Sequence, residues 1–225
     1  MSRRFRDRTD AGRALGVRLA AYAHRSDVLV LALPRGGVPV AFEIAKALPA
    51  PLDVFLVRKL GVPGHEELAM GAIASGGVRV LNQEAIGCSD LPDWLIDHVA
   101  NREQRELERR ERVYRGDRPA LDIQDRTIIL VDDGLATGSS MRAAATALRQ
   151  MKPIKIVIAV PVSPPETCAA FRNEVDDVIC AITPEPFIAV GAWYSDFSQT
   201  SDEEVRRLLD QASRDQHNHL RVAEV

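Results

Sequence analysis

Residues 127–141 read Thr-Ile-Ile-Leu-Val-Asp-Asp-Gly-Leu-Ala-Thr-Gly-Ser-Ser-Met, a segment that few folds accommodate. The first five residues are aliphatic or β-branched without polar alternation, the pattern of a strand covered on both faces of a parallel sheet. Two adjacent carboxylates, Asp132 and Asp133, end that strand, and a glycine-flanked turn, Gly134-Leu135-Ala136-Thr137-Gly138, follows. Ser139 and Ser140 then open a helix whose apolar residues Met141, Ala144, Ala145, Leu148 and Met151 recur at helical spacing. Strand, loop and helix in that order put the loop at the carboxyl end of the sheet, where open α/β folds bind ligands. The helix start offers unpaired N–H groups, hydroxyls and a dipole that favours an anion by ~0.3–1 kcal/mol. The acid pair repels a phosphate but accepts hydrogen bonds from a sugar diol. A ligand with a 5′-phosphate and vicinal ribose hydroxyls satisfies both ends.

Two other phosphate loops are excluded. A nucleotide-triphosphate loop needs a lysine and one more residue between its glycines than Gly134-Leu-Ala-Thr-Gly138 provides, and no Gly-x-Gly-x-x-Gly occurs in the chain. The plain alternative is a turn with a helix cap. It leaves the coincidence of acid pair, turn and Thr-Gly-Ser-Ser directly after a buried strand without a reason. Val-Asp-Asp-Gly-Leu-Ala-Thr-Gly-Ser-Ser-Met resembles the phosphoribosyl-pyrophosphate loop of the type I phosphoribosyltransferases, closest to the adenine and orotate branch.

The rest of the chain alternates between strand and helix patterns. Helices are predicted over 10–24, 38–48, 92–112, 139–151, briefly after Pro164-Pro165, and from Ser201, where Glu204 completes a capping box. Strands are predicted over 28–33, 54–57, 68–74, 78–81, 127–131, 155–160 and 178–182, with Ser75-Gly-Gly77 as a hairpin turn and a fraying tail after about residue 215. The expectation is one α/β domain: a doubly wound, mainly parallel sheet with helices on both faces. Its core would span about 10–182, and a small hood would comprise residues 183–200 and the C-terminal helix. Five arginines and four glutamates interleave over 101–112, which reads as a solvated helix face rather than a basic patch.

Other segments gain roles from the resemblance. Pro34-Arg-Gly-Gly37 follows a strand and precedes a helix; Gly36 and Gly37 allow close backbone approach, and Arg35 offers a fork to phosphate oxygens. These three residues resemble the family's pyrophosphate loop. Arg58 and Lys59 end the next strand, and the resemblance implies that they hold pyrophosphate oxygens. Residues 60–67, Leu-Gly-Val-Pro-Gly-His-Glu-Glu, read as a loop. In the family a mobile loop here closes over the site, and His65 resembles the loop histidine of the orotate branch, although the further lysines of that branch are missing. Residues 186–197 hold four of the eleven aromatic residues. Phe187-Ile-Ala-Val-Gly191 with Asp196 is similar, at different spacing, to a base-stacking segment and metal-proximal aspartate of the hypoxanthine-guanine branch. Phe187, Trp193 and Tyr194 are therefore base-pocket candidates, and Asp132, Asp133 and Asp196 candidate Mg²⁺ ligands. Ala136 stands where that branch carries an aspartate able to act as a base.

Composition bounds the remainder. A net charge of −3 argues against a nucleic-acid partner. No apolar run approaches the ~20 residues of a membrane span, and the basic N-terminus leads into no apolar signal region. Cys88, Cys168 and Cys180 are widely spaced and odd in number, so reduced thiols in a cytoplasmic protein are expected. The resemblance implies transfer of a 5-phosphoribosyl group from phosphoribosyl pyrophosphate to a small nitrogenous acceptor with Mg²⁺, within nucleotide metabolism and as a candidate homodimer. Asp132, Asp133, Lys59 and His65 would be the catalytic set. Two other classes stay open: a regulatory module that binds phosphoribosyl pyrophosphate or a nucleotide without catalysis, and a phosphorolytic or hydrolytic sugar-phosphate enzyme.

Overall fold

The structure, a computed structural model, describes residues 4–83, 86 and 91–223. Five strands form the central sheet: β1 (Val28–Ala32), β2 (Leu52–Val54), β6 (Thr127–Val131), β7 (Lys155–Val162) and β8 (Asp177–Ile182). They lie in the order β2-β1-β6-β7-β8, and every pairing is parallel. The unbroken aliphatic runs have their cause here, because β1 and β6 are buried at every position. Alternate residues feed two cores. Val28, Val30, Ile129 and Val131 face helices α1 (Arg8–Arg18), α2 (Gly37–Ala47), α3 (Asp93–Arg115) and α6 (Asp202–Ala223). Leu29, Leu31, Ile128 and Leu130 face α4 (Ser139–Gln150) and α5 (Pro165–Phe171). This is the doubly wound layering expected of alternating elements.

A second sheet, β3 (Val57–Val62), β4 (His65–Ala74) and β5 (Val78–Leu81), is antiparallel in the order β3-β4-β5. It corrects two readings. The single strand expected over 54–57 is a crossing point: β2 ends at Val54, and Val57 begins the other sheet. Residues 60–67 are a hairpin and not a loop: Leu60 and Val62 are buried in β3, which pairs with β4, and the tip at Pro63, Gly64 and His65 is exposed. Ser75-Gly76-Gly77 forms the expected turn, with both glycines at positive φ.

The first helix is shorter than predicted. It ends at Arg18, a 3₁₀ turn covers Ala20–Tyr22, and His24 takes a φ of 59° as the chain turns back toward β1. At the other end α6 continues to Ala223 instead of fraying near residue 215; its start is capped as expected, with the Glu204 N–H donating to Ser201 Oγ at 3.0 Å.

The thiols also differ from expectation. Cys168 on α5 and Cys180 on β8 are joined in a disulfide, because the parallel β7–β8 crossover lays α5 back against β8. A separation of 12 residues gave no pairing signal in the sequence. Cys88 lies outside the described residues.

β1 has β2 on one side and β6 on the other, so the chain direction across the sheet reverses between β1 and β6. The loops leaving these two strands run side by side, tied by the Leu33 N–H donating to Val131 O at 2.8 Å. Such a reversal point opens a crevice at the carboxyl edge.

Candidate active site at the carboxyl edge of the sheet

Asp132 and Asp133 follow β6 directly, and the Asp133 N–H donates to Asp132 Oδ1 at 2.8 Å. The β1 loop presses against them. A Cβ on Gly36 would lie 2.0 Å from Asp133 Oδ2, and one on Gly37 would lie 2.7 Å from Val131 O and 3.0 Å from Asp132 Cα. Only glycine lets the two loops meet this closely. The Pro34-Arg-Gly-Gly37 turn and the acid pair, separate motifs in the sequence, are thus one structure.

Partial burial sets the electrostatics. Withdrawal from water, then the neighbouring Asp133 charge, push the Asp132 carboxyl well above the ordinary carboxylate value. Burial also raises Asp133, against the opposing pull of Arg8. Arg8 stands at the start of α1, 125 residues away in sequence, and its Nε and Nη2 both donate to Asp133 Oδ2 at 2.8 Å. Its Nη1 donates to Ser198 O at 2.6 Å, and its guanidinium lies 4.1 Å from the Phe197 ring centroid. Sequence reasoning noticed the basic N-terminus but assigned Arg8 no role. An arginine next to a helix-capping aspartate carries no local signal for a carboxylate on another element.

At the other end of the loop Gly138 has φ 73°, the left-handed conformation that turns the chain into α4. The first N–H groups of α4, the Ser139 and Thr137 hydroxyls (3.0 Å apart) and the exposed Ser140 converge at this turn. Gly134, Leu135 and Ala136 link the acid pair to it. The Leu135 N–H donates to Val162 O at 2.9 Å, and Ala136 O accepts from Thr167 Oγ1 at 3.0 Å. Phe171 packs so close that a Cβ on Gly138 would meet its ring at 2.5 Å. Helix α5, unassigned in the sequence reading, is therefore the floor of this turn.

The other candidates divide. Arg35 is half-exposed in the β1 loop, 3.7 Å from Asp202 at the start of α6. Lys59 is exposed on β3. Arg58 points the opposite way, and its Nε donates to the Glu103 carboxylate of α3 at 2.6 Å, where Arg102 also bonds. His65 is exposed at the hairpin tip. Between β8 and α6, Phe187 and Trp193 are half-buried, whereas Tyr194 is buried and its hydroxyl donates to Asp133 O at 2.6 Å. Tyr194 thus stands beneath the acid pair as a brace and offers no open face to a base. Asp196 is exposed; its carboxylate accepts the Ser198 N–H at 2.9 Å, which holds it below its ordinary value. It does not join Asp132 and Asp133: among the described residues no group of three or more His, Cys, Asp or Glu is arranged to hold a metal. An acid pair with hard oxygen donors still fits Mg²⁺, which takes one or two carboxylates and completes its shell with water and substrate phosphates.

Comparison with known proteins sets this geometry in a family. The pattern of the phosphoribosyl transferase domain matches residues 9–192. The chain is 48% identical over 211 residues to a Mycobacterium tuberculosis protein named "Putative phosphoribosyl transferase Rv0571c", covering 94% of this chain and 47% of that one. It thus spans about half the length of the curated relatives it matches first. Over 130 residues it is 33% identical to "Bifunctional protein PyrR" of Chloroflexus aurantiacus, 56% of this chain and 65% of that one. The crystal structure of TT1426 from Thermus thermophilus aligns with a TM-score of 0.82 at 41% identity, over 92% of this chain and 98% of that one. With the domain pattern running through most of the chain and a structural relative aligned over nearly its whole length, the chain belongs to the type I phosphoribosyltransferase family.

Proposed function

We propose that this protein transfers a 5-phosphoribosyl group from phosphoribosyl pyrophosphate to a nitrogen of a small heterocyclic acceptor, releasing pyrophosphate. The observation that carries the reading is the meeting of Asp132 and Asp133 with Gly36 and Gly37 at the carboxyl edge, one loop away from the left-handed Gly138 turn that opens α4. In this reading the 5′-phosphate takes the N–H groups and hydroxyls of Thr137, Gly138, Ser139 and Ser140. The ribose 2′- and 3′-hydroxyls donate to Asp132 and Asp133, whose negative charge also stabilises the cationic sugar that forms as the C1′–oxygen bond breaks. Gly36 and Gly37 bring backbone close to the departing pyrophosphate, and Arg35 and Lys59 supply cations to it. Asp132 and Asp133 would hold Mg²⁺, whose charge would offset that developing on the leaving group. Phe187 and Trp193 are the aromatic surfaces available to the acceptor. The exposed hairpin tip with His65 is the segment suited to closing over the sugar and excluding water. We place the activity in the cytoplasm, where a charged sugar phosphate that does not cross membranes unaided is met.

The test is isotope exchange between labelled pyrophosphate and phosphoribosyl pyrophosphate, run with Mg²⁺ and a panel of purines, pyrimidines and other nitrogen heterocycles. Acceptor-dependent exchange, abolished in the Asp132→Asn, Asp133→Asn double variant, is the expected result. Tight binding of phosphoribosyl pyrophosphate without exchange or product would overturn catalysis in favour of a regulatory module. Release of ribose 5-phosphate without an acceptor would indicate hydrolysis.

A further inference from the structure

Arg8 has contacts that its place at the start of a helix does not require. A surface arginine in the first turn of a helix opposes the helix dipole and is ordinarily left in water. Arg8 instead has only 11% of its side chain exposed and spends all three kinds of guanidinium contact on the site. Nε and Nη2 converge on a single oxygen of Asp133, Nη1 takes the Ser198 carbonyl, and the cation lies against the Phe197 ring. The planar fork therefore fixes the direction of the Asp133 carboxylate, which one bond to a mobile lysine could not do. The backbone around Arg8 is held equally firmly. The Phe5 N–H donates to Trp193 O at 2.9 Å, and the Ser195 and Asp196 N–H groups donate to Phe5 O and Arg6 O, each at 2.8 Å. Asp7 caps α1 through the Asp10 N–H at 2.7 Å. Residues 5–8 are consequently laced to hood residues 193–198, and Arg8 reaches from that seam to the acid pair.

We propose that Arg8 is a positioning residue for the sugar site: it orients Asp133 toward the ribose diol and locks the hood segment 194–198 to the acid pair. This rests on the transferase reading above, in which Asp133 accepts a ribose hydroxyl. Arg8 touches no reacting atom. Its effect is to hold one carboxylate in the direction that distinguishes a ribose ring from one lacking a hydroxyl. A site whose buried polar groups lose their partner rejects the deoxy analogue, and that rejection weakens when the carboxylate is free to turn.

The experiment compares binding of ribose 5-phosphate and 2-deoxyribose 5-phosphate, with Mg²⁺, by calorimetry in the wild type, Arg8→Ala, Arg8→Lys and Arg6→Ala. The wild type is expected to prefer the ribose compound. Arg8→Ala should reduce that preference by about tenfold or more, and Arg8→Lys should recover only part of it, because lysine keeps the charge but not the fork. Arg6 is exposed and pairs with Asp10, so Arg6→Ala should retain the full preference. Inorganic pyrophosphate should bind all four proteins alike. A global structural defect would weaken pyrophosphate and both sugars together, and would overturn the proposal. So would an unchanged ribose preference in Arg8→Ala. If Arg8→Ala does not fold, Arg8→Lys decides: full wild-type preference in it refutes the need for a fork. A wild type that binds pyrophosphate but shows no ribose preference would instead refute the assignment of the acid pair to the sugar, and the proposal with it.

Discussion

Replacing Gly36 by alanine tests how the two loops meet. Gly36 has φ −60° and ψ −31°, ordinary helical values, so alanine meets no backbone obstacle and the whole effect must come from the added methyl. That methyl would lie 2.0 Å from Asp133 Oδ2, 2.6 Å from its Cγ and 3.3 Å from Arg8 Nε. Ordinary contact begins at 3.4 Å, so the carboxylate oxygen must retreat by at least about 1.4 Å. The retreat breaks or stretches the 2.8 Å bonds from Arg8. A hydrogen bond to a charged group contributes ~1.5–3 kcal/mol, and stiffening the unfolded chain by Gly→Ala returns ~0.4–1 kcal/mol. The net loss expected is ~1–2 kcal/mol, or about 2–8 °C in unfolding midpoint at roughly 2–4 °C per kcal/mol for a chain of this size. The effect on turnover should be larger, since misplacing a positioned group by ~1 Å costs ~10²-fold. Thermal unfolding gives the first quantity and pyrophosphate exchange the second. A Gly36→Ala protein with wild-type midpoint and wild-type exchange rate would refute the argument.

Two further outcomes follow from the same geometry. Asp132 has a raised folded value, so it contributes stability that is full below the ordinary 3.8 and is lost as pH rises through the raised value. Asp132→Asn removes that dependence. Relative to wild type the variant should therefore gain stability as pH climbs above the ordinary carboxylate value while losing exchange activity, and a stability difference independent of pH in urea titrations would contradict the burial argument. For the disulfide, thiol titration in denaturant without reductant should find one free thiol per chain, and three after reduction. Reduction should lower stability by ~3 kcal/mol, about 6–12 °C, if loop closure dominates, and three thiols before reduction would remove the bridge from the account.

Local chemistry makes much of this protein legible in its sequence alone. Runs such as Thr127–Val131 cannot be solvated on either face, so their aliphatic composition by itself implies a covered parallel sheet, and Gly138 followed by two serines marks where α4 begins. The acid pair is legible for the same reason, as charged residues at a buried strand end need a purpose. The first part of the hairpin, residues 57–67, escapes such reasoning because Gly61, Pro63 and Gly64 give the local pattern of a loop. Its strand character comes from pairing with β4 and from the buried Leu60 and Val62. Arg8 on Asp133, Tyr194 beneath it, Arg58 turned toward Glu103 and Cys168 joined to Cys180 are likewise products of the fold. Periodicity and caps depend on neighbours within a few residues, and so appear in sequence. Which side chain meets which across 125 residues depends on how the layers stack, and only the assembled sheet, with α1 and residues 193–198 packed at its carboxyl edge, decides it.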